Sequence, residues 1–154
     1  MKKCVDFFYM TGRARRKFER KNPDEKVFAA DASKGIVTKN NQDIKHGLDW
    51  VFSQRAVILL TDRKIVCGKW MISLDDISDA RLCAYGSGQV LKIRTKDGKN
   101  YQFGTQKNPE WTNQQILPLT LEKGRVKYSF FSSIIRLVLF GYIVYWLYIR
   151  FIIH

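Results

Sequence analysis

Cysteine and histidine are scarce in this chain of 154 residues. Three Cys with no C-x-x-C spacing exclude a disulfide framework and any zinc site of the finger or ribbon type. Two His, one of them the last residue, leave little for metal ligation or acid–base chemistry, so no cofactor and no metal is expected. There is no Asn-x-Ser/Thr sequon. Acidic side chains are also few, 14 against 27 Lys plus Arg, for a formal net charge of +13. Apolar residues make up 45% and aromatics 14%, which excludes a wholly disordered chain. The length suits one compact domain and not two.

The excess charge is uneven. Residues 1–21 hold eight basic and two acidic side chains, residues 22–124 hold 15 and 12, and residues 125–154 hold four and none. A near-neutral body therefore sits between two basic flanks. The pattern divides the chain into a basic and aromatic segment over 1–24, a domain over 25–120, a basic linker over 121–127 and an apolar tail over 128–154.

Tyr128–Ile149 is a run of 22 residues with a single charge, Arg136. As a helix it would extend about 33 Å, close to the hydrocarbon thickness of a bilayer. The expectation is a single transmembrane tail anchor; the charge-free stretch Leu137–Ile149, 13 residues, also suits an interfacial or a buried core helix. Tyr142, Tyr145, Trp146 and Tyr148 would form an interfacial belt, with Arg150 reaching headgroups. Arg136 and Arg150 fall on one helical face and are the candidate intramembrane charges, either two snorkelling side chains that happen to align or a face that meets a lipid phosphate or an acid on a partner helix. Lys123, Arg125 and Lys127 before the span favour a cytoplasmic N-terminal body. Reduced Cys4, Cys67 and Cys83 agree with that compartment.

The body reads as short antiparallel strands. Lys26–Ala30 is the first strand candidate and Ser33–Gly47 a polar loop. Arg55–Leu60, Lys64–Gly68, Trp70–Ser73 and Ile77–Ala84 follow. Asp97-Gly98, flanked by alternating Leu91, Ile93, Tyr101 and Phe103, predicts a hairpin with those four on one buried face. Asn108 caps a short helix that begins with Pro109, carries Trp111, Gln115 and Ile116, and stops at Pro118.

From about Glu25 to Leu117 the chain resembles pleckstrin-homology-like domains, in the branch of GRAM and bacterial PH-like modules. The likeness rests on Ala56–Gly68 (AVILLTDRKIVCG), Trp70–Ile77 (WMISLDDI), Leu91–Phe103 and the closing N-P-x-W at Asn108–Trp111. It implies a mainly β fold: a curled antiparallel sandwich or barrel of two near-orthogonal sheets and seven strands, capped by a short helix. It also implies a binding module for phosphoinositides, other anionic lipids or proteins. Lys34, Lys39 and Lys45 of the long polar stretch are the candidates for a headgroup patch.

The strongest charge signal is Thr11–Lys21 (TGRARRKFERK), six basic residues and one acid in eleven. Arg13, Arg15, Arg16, Lys17, Arg20 and Lys21 are the candidate lipid- or partner-binding residues; the other reading of the run is a solvated basic helix packed by its aromatics on the body. Phe7, Phe8, Tyr9 and Met10 precede them, and aromatics beside a basic run are a signature of contact with a lipid surface. Nucleic acid is not expected as the partner.

No catalytic constellation is present. His46 stands alone in a polar stretch. Asp75, Asp76 and Asp79 read as a turn and surface group. Gly86-Ser87-Gly88 lacks the P-loop Lys and the nucleophile-elbow spacing. Cys67, Cys83, Trp50, Trp70 and Trp111 read as core. The expectation is a non-catalytic, membrane-anchored PH-like adaptor, an accessory subunit of a membrane protein complex that contacts its partner and anionic lipid headgroups. The alternative is a lone lipid-sensing module, in which Lys34, Lys39, Lys45, Arg55 and Lys69 converge on one pocket.

Overall fold

The computed structural model describes residues 8–38, 45–46, 53–86, 88–124, 127–128 and 130–150. After helix α1 (Thr11–Lys21) come β1 (Val27–Thr38), the two-residue β2 (Lys45–His46), β3 (Gln54–Thr61), β4 (Lys64–Cys67) and β5 (Trp70–Ser73). A 3-10 turn at Leu74–Asp76 leads to β6 (Ile77–Tyr85), β7 (Gly88–Thr95) and β8 (Asn100–Gln106). The short α2 (Pro109–Asn113), β9 (Thr120–Lys123), β10 (Lys127–Tyr128) and α3 (Phe130–Tyr148) complete the order.

The expected two sheets are one. The strand order is β5-β4-β3-β1-β8-β7-β6-β9 in a single eight-stranded sheet, and β2 pairs separately with β10. The reason is β1, which continues through Thr38 where a loop from Ser33 was expected. Its first part pairs with β3, from Val27 opposite Thr61 to Gly35 opposite Gln54. Its last part also pairs with β8, from Lys34 opposite Gly104 to Thr38 opposite Asn100. One strand thus belongs to two meanders and fuses them.

The sheet curls around a core of Ile58, Leu60, Ile65, Cys67, Leu82, Leu91, Ile93 and Phe103, into which Trp111 and Leu117 insert. A second, smaller cluster of Val27, Ala30 and Leu59 lies on the other face and packs against Phe18 of α1. Trp70 meets Phe103 edge-on at a centroid distance of 5.7 Å. At Gly35 an added Cβ would stand 2.2 Å from the Trp70 ring and 2.9 Å from Phe103, so the backbone approaches this pair as only glycine permits.

The predicted hairpin forms, with Leu91 opposite Phe103 and Ile93 opposite Tyr101. Its loop is three residues, 96–98. Gly98 N donates to Thr95 O at 2.9 Å, Thr95 N donates to Lys99 O at 3.0 Å, and Gly98 takes φ 82°, a type I turn closed by a glycine bulge. Asp97 braces it by accepting from the Thr95 hydroxyl and pairing with Lys99 Nζ at 2.7 Å. The Lys99 hydrogen bond, then that of Thr95, holds the Asp97 carboxyl down at about 2. The unfolded carboxyl titrates near 4, so the brace is intact above about pH 4 and is lost as the pH falls toward 2. Thermal melts across that range should show a steeper acid loss for the wild type than for Asp97→Asn.

The predicted anchor is corrected. The C-terminal helix ends at Tyr148 and has 19 residues. Ser132, Ser133, Arg136 and several tyrosines dilute its apolar run. Among the described residues no helix is long and apolar enough to cross a membrane. The single-pass, tail-anchored placement and the transmembrane half of the expected fold class are set aside with it, as is the intramembrane role given to Arg136 and Arg150. The described apolar side chains of α3 from Ile134 to Tyr148 are exposed, Leu137 at 75% and Phe140 at 69%.

Candidate functional site

Helix α1 carries its candidate residues on two different faces. Thr11, Arg15 and Phe18 recur at helical spacing and turn toward the sheet: Thr11 is buried and Phe18 packs on Val27, Ala30 and Leu59. Asn22 ends the helix, its backbone N and side-chain Nδ2 donating to Phe18 O at 2.9 and 3.0 Å. Lys64 Nζ lies 5.9 Å from the Phe18 ring centroid and pairs with Glu25 at 2.8 Å.

Arg15 is a docking residue. Its Nη2 donates to Val27 O at 2.7 Å, its Nη1 to Glu110 Oε1 at 3.4 Å and its Nε to Glu19 Oε1 at 3.2 Å. Glu110 and Asn108 then do what a neighbouring strand would do for β1. The β8 pairing begins at Lys34, so at Ala30 the side of β1 away from β3 has no strand. Glu110 Oε2 accepts from Ala30 N at 3.0 Å and Asn108 Nδ2 donates to Ala30 O at 3.1 Å. The other end of the Asn108 amide caps α2, its Oδ1 accepting from Glu110 N at 3.1 Å, as the Asn-Pro sequence predicts. A buried N–H left without an acceptor costs about 1–3 kcal/mol. Glu110→Ala should therefore lower stability by about 2 kcal/mol and free α1, read as earlier proteolysis within residues 11–21. Glu110→Gln, which keeps an acceptor for Ala30, should lose far less.

Arg13, Arg16, Lys17, Arg20 and Lys21 are exposed. Apart from the Arg13 Nη1 contact with Met10 Sδ at 3.6 Å, they face solvent, and none pairs with a carboxylate among the described residues. The basic run thus resolves into one latch and five outward cations. Arg150 places its guanidinium 5.5 Å from the Trp146 ring centroid. Arg136 lies on the backbone of α3.

Of the alternative constellation only Lys34, Arg55 and Lys69 have described side chains, and these three share no described cavity. Lys34 and Arg55 are register partners across β1 and β3, whereas Lys69 stacks near the Trp70 ring at 5.9 Å. Lys39 lies outside the described residues, and of Lys45 only the β2 backbone is described. Three described cavities, of about 380, 230 and 120 Å³, are lined by none of these side chains.

The remaining candidates take structural places. Asp75 and Asp76 form the 3-10 turn, and Asp79 pairs with Arg81 at 2.7 Å. No group of His, Cys, Asp and Glu among the described residues is arranged to hold a metal ion. Burial pushes the Cys67 thiol up to about 11 against a smaller opposing hydrogen bond from Ser33, so it stays protonated at neutral pH. Cys83 is buried with Sγ 3.6 Å from Glu122 Oε2. Trp70 is half-buried and Trp111 fully buried. Gly86 turns at φ 47° ahead of β7. Cys4 and Trp50 lie outside the described residues, and only the backbone of His46 is described.

Sequence reasoning missed the pairing of Arg15 with Glu110. The signal was the spacing of Thr11, Arg15, Phe18 and Asn22, which fixes the docked face once Phe18 is taken as its anchor. No protein-family model matches the sequence, and no curated protein matches it either.

Proposed function

We propose that the chain is a non-catalytic, PH-like docking module that holds anionic lipid headgroups from the outside through the exposed face of α1. The observation that carries this is the five outward cations on a helix latched rigidly to the sheet. The latch keeps Arg13, Arg16, Lys17, Arg20 and Lys21 as one patch, and phosphate-rich surfaces attract such patches at about 1 kcal/mol per charge. The PH-like part is supported by the strand order: two antiparallel meanders, β1-β3-β4-β5 and β6-β7-β8, joined through β1, with Trp111 of α2 in the core between them.

Flotation of the full chain with phosphatidylcholine vesicles, with and without phosphatidylserine, tests the reading. Binding should require phosphatidylserine, weaken with salt and fall about a hundredfold when the five cations become Gln. Equal recovery on both vesicle types, or indifference to the five substitutions, refutes it.

A further inference from the structure

The exposed face of α1 does not consist of cations alone. Phe8 is 80% exposed and Met10 54%, at the start of the helix. Met10 Sδ touches Arg13 Nη1 at 3.6 Å, so this side chain is continuous with the outward cations and not with the docked face. Met10 also carries the one non-glycine positive φ among the described residues, 50° with ψ 39°, in the left-handed region that L side chains rarely adopt. Its carbonyl accepts from Arg13 N and Ala14 N, both at 2.9 Å, which fixes the turn to the helix. A large apolar residue is therefore held in an unfavourable backbone conformation with most of its side chain in water. Strain of this kind at an exposed apolar site points to function rather than folding.

We infer that Phe8 and Met10 form an insertion wedge that enters the interfacial zone of a lipid surface while the five cations hold phosphates. This rests on the lipid reading above and adds a second binding force to it. Charge attraction is screened by salt, whereas burial of an aromatic ring and a thioether in lipid is not. The geometry suits a surface with a soft apolar layer beneath its phosphates. An acidic protein surface or a nucleic acid offers charge to Arg13 but no layer for Phe8.

The test compares full-length variants on phosphatidylcholine–phosphatidylserine vesicles over a salt series, so that whatever α3 contributes is common to all. The wild type should retain bound protein at high salt. Phe8→Ser/Met10→Ser should lose that fraction and bind about tenfold more weakly throughout, compared at a temperature where circular dichroism shows every variant folded. Met10→Gly should melt higher, since glycine is at ease at this φ, and still bind more weakly. A residue that served only to start the helix would move stability alone. If the double variant partitions like the wild type at every salt while loss of the cations abolishes binding, the wedge is overturned and the electrostatic docking stands. If the wild type does not bind these vesicles at all, both fall.

Discussion

Replacing Arg13, Arg16, Lys17, Arg20 and Lys21 together with Gln is expected to weaken partitioning onto phosphatidylserine-containing vesicles by about a hundredfold at physiological salt. Each cation near an anionic leaflet contributes about 1 kcal/mol, which would give about 5 kcal/mol if all five engaged fully. The helix curves away from a plane and the Debye length is about 8 Å at this ionic strength, so roughly half of that is realised, or about two decades. Gln keeps good helix propensity, so α1 stays formed and the loss is one of charge. Arg15→Gln is the internal control. Its guanidinium is spent on Val27 O and Glu110, so it should lower the melting temperature and leave the salt slope of binding almost unchanged. A salt slope that falls as much for Arg15→Gln as for Arg16→Gln would show that the two faces of α1 have been misassigned.

Trp111→Ala should be the most destabilising of the substitutions considered. Trp111 is fully buried at the junction of the two meanders, in contact with the main core. Removing a buried Trp side chain costs about 3–5 kcal/mol, as lost transfer energy plus a cavity that the surrounding strands cannot fill. That is a large part of the 5–15 kcal/mol typical of a domain. The indole Nε1 is buried without a hydrogen-bond partner among the described residues. Trp111→Phe therefore sacrifices volume and no polar contact, and should cost less than half as much. Urea titrations followed by circular dichroism separate the two. Similar midpoints for Trp111→Ala and the wild type would mean that α2 does not plug the core.

Local chemistry was readable in the sequence, and closure was not. The Leu91–Phe103 hairpin announces itself because alternation and Asp-Gly act over a dozen residues. The Asn108-Pro109 helix start is equally local. The sequence predicts that β1 stops near Ala30, because Asp31, Ser33, Lys34 and Gly35 look like a loop. In the fold Asp31 and Ser33 are buried, Asp31 Oδ1 accepting from Ala32 N at 2.9 Å, and Gly35 is required by Trp70 and Phe103. Pairing with β3, joined by β8 from Lys34 onward, keeps that stretch extended against its composition. The division of the basic run into one latch and five outward cations likewise depends on a partner far along the chain. The apolar tail shows the opposite error: its composition suggests a span, but among the described residues no helix is long and apolar enough to cross a membrane.

The use of Asn108 and Glu110 as a surrogate strand has a consequence for biosynthesis. Ala30 N–H and C=O wait for side chains 80 and 78 residues further on. At roughly 5–20 residues per second, a ribosome delivers those partners on the order of 4–16 seconds after Ala30 itself is made. Through that interval the nascent β1 presents an open ladder beside the apolar β3, a template for pairing with neighbouring chains on a polysome. Yield in cells should accordingly depend more on holdase chaperones that shield this interval than on the stability of the finished fold.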